Sequence, residues 1–186
     1  MGSMTTVATP LAGLHEIHGA TRSDARGRFT RLFCEQEFAS IRPGLHFTQI
    51  NLSQSANKGS VRGMHYQQPP AAEAKLVRCL RGRLFDVAVD VRAGSPTFLQ
   101  WHAIELAGDN DRAFFIPEGF AHGFQTLTDD VQLLYMHTAA WTPASEAGLR
   151  HDDPRLAIAW LDPITMVSDR DRSFAMLVPD FSGVGL

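Results

Sequence analysis

Phe85-Asp86-Val87-Ala88-Val89-Asp90-Val91 carries apolar side chains at alternating positions. Successive side chains of a β-strand point to opposite faces, so this period of two predicts a strand with one face in a core. Working outward, Leu76-Val77-Arg78-Cys79-Leu80 and the glycine-containing break Arg81-Gly82-Arg83 precede it, a pattern that predicts a hairpin. Further strands are expected over residues 98–106, 112–116, 123–127 and 131–138, separated by turn-forming clusters at 93–96, 107–110 and 128–130. Upstream, 29–33 and 45–52 also read as strands, and short helices are expected at 35–40 and 143–147. Many short strands joined by polar turns predict an all-β sandwich or barrel. The irregular tail from Asp162 is expected to pack outside the barrel or at its mouth.

The 186 residues suffice for one domain with a sizeable core and are short for two. Residues 1–4 read as an expression remnant ending in a natural start at Met4, with 5–186 as a single domain. Seventeen basic residues against 20 acidic ones leave a net charge of −3. Such a chain has no broad attraction to nucleic acid or an anionic membrane, so a bound phosphate must be held by a few local cations. Two cysteines, Cys34 and Cys79, cannot build a disulfide framework, and Cys79 in its apolar run reads as a buried reduced thiol. Apolar runs fall well short of the ~20 residues of a membrane span, and the start lacks a secretory pattern. The expected location is the cytoplasm.

Polar residues concentrate at three expected strand ends: Val61-Arg62-Gly63-Met64-His65-Tyr66-Gln67 followed by Lys75, Pro117-Glu118-Gly119-Phe120-Ala121-His122-Gly123-Phe124, and Leu133-Leu134-Tyr135-Met136-His137. Alternation places His122, Phe124 and Thr126 on one face, and Leu133, Tyr135 and His137 on another. A barrel interior lined by His, Lys and Tyr is costly unless it is a ligand site. Taken singly, each of these residues is read as readily as a structural or solvated group.

Pro117-x-Gly119-x-x-His122 resembles the second motif of the cupin superfamily, which implies a cupin-type jelly-roll β-barrel with a few short helices. Metal-binding cupins supply His-x-His from their first motif; here the matching stretch offers His65 with Gln67, and no metal is expected. The combination of Arg62 to Gln67, Lys75-Leu76-Val77-Arg78, Phe85 to Phe98, Pro117 to Phe124 and Leu134-Tyr135 is far more specific. It resembles the dTDP-4-dehydrorhamnose 3,5-epimerase family, and the likeness runs from Asp24-x-Arg26-Gly27-x-Phe29 to Ser168-x-Arg170-Asp171.

The resemblance implies a homodimer without metal or organic cofactor, acting on a dTDP-linked 4-keto-6-deoxy sugar. It implies catalytic roles for four residues: His65 as the base, Asp171 as its carboxylate partner, Tyr135 as the acid on the far face, and Lys75 as the cation at the enolate oxygen. Arg62 matches a diphosphate ligand, and Arg26 a residue lent to the partner subunit's site. Phe29 matches a residue near the nucleoside, Gln49 and Asn51 polar substrate contacts, and His122 a position beside the substrate. Trp141 stands where the family commonly has Tyr.

Other departures from the family pattern are Arg31 in place of an acid, Met64 and Met136 where Leu and Lys are common, and His137, two residues beyond Tyr135. They leave open whether C3, C5 or both are inverted and which sugar and nucleotide are used. Two further readings are weighed: a metal-dependent cupin enzyme with His65 and His122 as ligands, and a sugar-nucleotide binding protein without turnover.

Overall fold

The structure, a computed structural model, describes residues 3–186; the first two residues of the expected expression remnant lie outside the described residues. The chain runs through β1 (Thr5–Ala8), β2 (His15–His18), β3 (Thr21–Asp24), β4 (Gly27–Thr30), the helix α1 (Glu35–Phe38), β5 (Gln49–Ser55), β6 (Ser60–Gln67), β7 (Lys75–Arg81) and β8 (Arg83–Asp90). It continues through β9 (Trp101–Ala107), β10 (Arg112–Ile116), β11 (Phe120–Thr126), β12 (Val131–His137), a 3-10 turn (Pro143–Ser145), β13 (Glu146–Gly148), β14 (Met166–Val167) and the helix α2 (Asp169–Ser173).

One sheet has the order β1-β2-β10-β7-β12-β5 and the other β13-β6-β11-β8-β9, with β14 parallel to β6 and the remaining ladders antiparallel. From β5 to β8, and again from β9 to β12, successive strands fall in opposite sheets. The polypeptide therefore wraps around the sheet pair as a jelly roll, the architecture that the cupin resemblance implies. The ribbon β3–β4 stands apart from both sheets.

The expected hairpin across Gly82 is not formed. β7 pairs with β10 and β12, whereas β8 pairs with β9 and β11, so the bend at Arg81-Gly82-Arg83 carries the chain from one sheet to the other. Gly82 adopts φ +76°, and a Cβ there would lie 2.7 Å from the Thr128 hydroxyl. A tight glycine bend suits a crossover as well as a hairpin, and the packing of the sheets decides between them.

Between the sheets, Val77, Cys79, Phe114, Ile116 and Leu133 meet Leu84, Ala88, Ile104, Leu106 and Phe124. The thiol of Cys79 is buried here, which pushes it up to about 11, and both cysteines are free. A second apolar layer covers the outside of the β8 sheet, where Val87, Val89 and Ala121 pack under Leu156, Leu177, Phe181 and Val184. A third covers the other sheet, where Phe38 of α1 with Leu45 and Phe47 packs on Leu76 and Phe115. Leu45 and Phe47 thus belong to this cover rather than to β5, which starts at Gln49. Phe33 and Phe98 likewise lie outside the strands expected to include them.

The alternation of residues 85–91 marks a strand, yet both of its faces are buried. The valines face the outer layer, and Asp86, Ala88 and Asp90 on the opposite face are 0% exposed. Asp90 is held by the Arg92 guanidinium (2.9 and 2.7 Å) and by the hydroxyls of Ser95 and Thr97 (both 2.6 Å). Burial pushes the Asp90 carboxyl up, but these hydrogen bonds together outweigh it and hold the group at about 2. Ionised Asp90 therefore stabilises the fold fully above the ordinary value of 3.8. That contribution, about 2 kcal/mol, disappears as the pH falls through the folded value. Urea unfolding of Asp90→Asn should show lower stability at neutral pH and a flattened acid limb across that interval.

Candidate active site

Toward one end of the sandwich the apolar interior gives way to a polar cavity of about 250 Å³. Its construction depends on a bulge in β6. The β6–β11 ladder pairs His65 with His122 but Arg62 with Phe124, so three steps along β6 match two along β11. Strict alternation would send Arg62 and His65 to opposite faces; the extra residue brings both to the cavity wall. Gly63 makes the bulge possible, with φ +126° and its missing Cβ at a position only 2.5 Å from the Gly123 Cα.

The His65 Nε2 lies 2.8 Å from Asp171 Oδ1, and the Gly63 amide donates to Asp171 Oδ2 at 3.1 Å. Asp171 sits in the first turn of α2, where its own amide donates to the capping hydroxyl of Ser168. The carboxyl is buried, which raises its pKa, but the His65 ring and the Gly63 amide outweigh burial and hold it below the usual carboxylate range. An ionised carboxylate only accepts, so His65 Nε2 carries a hydrogen, and in the neutral ring Nδ1 is the nitrogen with the lone pair. Phe174 packs its ring edgewise against the imidazole at 5.9 Å.

Lys75 opens β7 and is buried. Its ammonium donates to the His65 carbonyl at 3.2 Å and lies 3.3 Å from the Glu73 carboxylate. Tyr135, on β12, has its ring edge to His122 (5.7 Å) and stacks on His137 (5.8 Å, 13° between planes). Burial, and then the charge of Asp86, push the Tyr135 phenol well above its ordinary range, so it remains protonated. His122 Nε2 contacts Asp86 Oδ1 at 2.7 Å, and burial raises the Asp86 carboxyl despite that contact.

The cavity wall thus holds His65, Lys75, Tyr135, Arg62, Asn51, His122 and Trp141 of the residues expected from sequence. Asp171 stands directly behind His65. Gln49 stands behind Trp141, its side chain accepting from the Trp141 amide at 3.1 Å. Arg26 and Phe29 are not brought to this cavity: both lie on the β3–β4 ribbon, Arg26 paired with Asp24 at 2.6 Å and Phe29 64% exposed. Arg31, the charge reversal in the family pattern, pairs with Glu37 of α1.

Sequence reasoning gave no site role to Glu73 or Asp86, and read Gln67 only as the residue that breaks a metal-ligand pair. Glu73 carried a weak signal, being two residues ahead of Lys75; for Asp86, alternation within 85–91 does not say which face of that strand meets the lumen. Gln67 holds the site's rim: its amide donates to the carbonyls of Ala71 and Ala140 and accepts from the Thr142 amide at 2.6 Å. A larger cleft of about 760 Å³ shares Arg62 and His65 with the cavity and is otherwise walled by residues such as Ser55, Asn57 and Arg170. Arg62 is anchored between the two by Ser55 Oγ (3.0 Å) and the Gln54 carbonyl (2.9 Å).

Comparison with known proteins places the chain in a family. The family model described as dTDP-4-dehydrorhamnose 3,5-epimerase matches residues 8–178. A dTDP-4-dehydrorhamnose 3,5-epimerase of Sinorhizobium fredii is 46% identical over 151 residues, covering 81% of this chain and 77% of that one. A dTDP-4-dehydrorhamnose 3-epimerase of Streptomyces niveus is 38% identical, covering 95% of this chain and 84% of its own. The crystal structure of a dTDP-6-deoxy-D-glucose-3,5-epimerase of Legionella pneumophila, in complex with dTDP-4-keto-L-rhamnose, superposes with a TM-score of 0.88 at 39% identity, covering 93% of this chain and 92% of that one. Sharing its fold and most of its length with these enzymes, the chain belongs to the dTDP-4-dehydrorhamnose 3,5-epimerase family.

Proposed function

We propose that the chain inverts C3, C5 or both of a dTDP-linked 4-keto-6-deoxyhexose, with His65 as base, Lys75 at the ketone oxygen and Tyr135 as acid. The observation that carries this reading is the convergence on one cavity of an imidazole from one sheet with an ammonium and a protonated phenol from the facing sheet. A hydrogen on either carbon next to the C4 ketone is acidified because its loss gives an enolate. His65 Nδ1 takes the proton, and the C–H electron pair moves into the ring as charge develops on the C4 oxygen. Lys75 is positioned to meet that charge, which matters most where water is excluded. Tyr135 then gives its phenolic proton to the carbon from the opposite face, and the centre is inverted. Asp171 holds the His65 ring and stabilises the imidazolium it becomes.

Arg62 at the junction with the larger cleft suits a diphosphate, which an arginine fork matches in geometry. Arg26 and Phe29 stand away from their own chain's cavity, the placement expected of residues that serve a partner's site in a homodimer. Residues 5–186 are read as one epimerase domain working in the cytoplasm. No helix among the described residues is long and apolar enough to cross a membrane.

The metal-dependent alternative is not favoured. Gln67 stands at the second ligand position of metal cupins and spends its amide on the rim loops, and the His65 and His122 rings are each turned onto a carboxylate. Among the described residues no group of three His, Cys, Asp or Glu could hold a metal ion. A binding protein without turnover has no use for a base and an acid around one cation, and the catalytic relatives disfavour it too.

With dTDP-4-keto-6-deoxyglucose in heavy water, NMR should show deuterium entering C3, C5 or both; a folded sample that exchanges neither carbon ends the epimerase reading. His65→Ala should lose about a thousandfold in exchange rate and Asp171→Asn about a hundredfold, both with the fold intact by circular dichroism. Sedimentation should give twice the chain mass, and Arg26→Ala should raise KM for the nucleotide sugar while leaving kcat within about threefold.

A further inference from the structure

We propose that Glu73 and His137 form a positioning couple that sets how much of the Lys75 charge reaches the reacting oxygen, an inference that rests on the epimerase reading above. The resemblance assigns no role to either residue, and His137 departs from the family pattern. Glu73 lies just ahead of β7 and His137 near the end of β12, where the ladder pairs it with Lys75. The buried carboxylate of Glu73 divides its two oxygens. Oε1 lies 3.3 Å from the Lys75 ammonium, and Oε2 lies 2.8 Å from His137 Nδ1. The other ring nitrogen, Nε2, faces the Asn51 side-chain amide nitrogen at 3.4 Å. An amide nitrogen only donates, so Nε2 accepts and Nδ1 carries the hydrogen given to Glu73.

The consequence is electrostatic. Lys75 can stabilise an enolate only to the extent that its charge is not already cancelled, and an ion pair seen from a distance is a dipole whose field decays faster than that of a lone charge. A free carboxylate in this enclosed site would turn both oxygens onto Lys75. The His137 N–H claims one oxygen and holds the carboxylate in an orientation that leaves Lys75 a single contact; a second ammonium donor goes to the His65 carbonyl and the third stays for the reacting oxygen. Burial pushes Glu73 up, but the His137 hydrogen bond and the Lys75 charge outweigh it, so the carboxylate is ionised and its charge has to be placed.

A double-mutant cycle read by steady-state epimerisation tests this. His137→Phe keeps a flat ring for the stack on Tyr135 and removes the donor. It should lower kcat about tenfold with KM within about twofold, because the lost interaction acts only as charge develops. In a Glu73→Gln background, where no charge remains to be divided, the same substitution should change kcat less than about threefold. His137→Asn restores a donor without the ring and should keep kcat within about threefold of wild type. Equal factors for His137→Phe in both backgrounds overturn the couple, as does a loss confined to KM or a loss of tenfold or more in His137→Asn. Thermal melting of each variant shows whether packing accounts for the change, and a kcat loss that follows the melting temperature across the set also overturns it. A wild-type enzyme without deuterium exchange would instead overturn the epimerase reading itself.

Discussion

Charge buried inside a β-sandwich must be answered by a partner, because an unpaired ion there costs several kcal/mol. This constraint organises the whole polar end of the molecule. Asp171 is met by His65, Asp86 by His122, and Glu73 by both His137 and Lys75. Each pairing fixes a ring or an ammonium in place, and the groups so fixed are those that line the cavity. The chemistry and the stability of this end therefore rest on the same contacts. Asp86 is the exception that shows the tension: its Oδ2 has no hydrogen-bond partner among the described residues, and burial raises its carboxyl.

The same constraint explains the chain's course after β12. The β8 sheet has apolar residues on its outer face, and the irregular segment that follows β13 covers them with Leu156, Leu177 and Phe181. In doing so it brings α2 against β6 and delivers Asp171 to His65. A segment whose only regular elements are β14 and α2 is thus both the lid of a hydrophobic layer and the source of the base's partner. The bulge at Gly63 joins the two functions, since its amide is the second donor to that carboxylate.

Much of this was legible in the residues. Strand positions follow from alternation and turn chemistry, and the helix at Glu35–Phe38 and the turn at Pro143–Ser145 lie within the segments expected to be helical. The motifs around Arg62, Lys75, His122 and Tyr135 led to residues that line one cavity from the two facing sheets. The hairpin across Gly82 was misread, because a tight glycine bend is compatible with either sheet assignment. Asp86 was passed over because an acid in an alternating strand looks solvated until the second sheet closes over it, and Glu73 because an acid in a connection ahead of a strand looks solvated until the fold encloses it.

The sequence by itself determined, to within a few residues, where most of the central strands lie, which residues share a strand face, and the family to which the motifs point. These are local properties, carried by a period of two and by turn residues within a few positions of one another. Only the tertiary structure decided which face is the lumen, which sheet each strand joins, and that Arg62 and His65 point the same way. Those outcomes depend on contacts between residues far apart in the chain, such as His65 with Asp171 and Gly63 with Gly123. No local pattern encodes a register shift that only packing against a distant strand can impose.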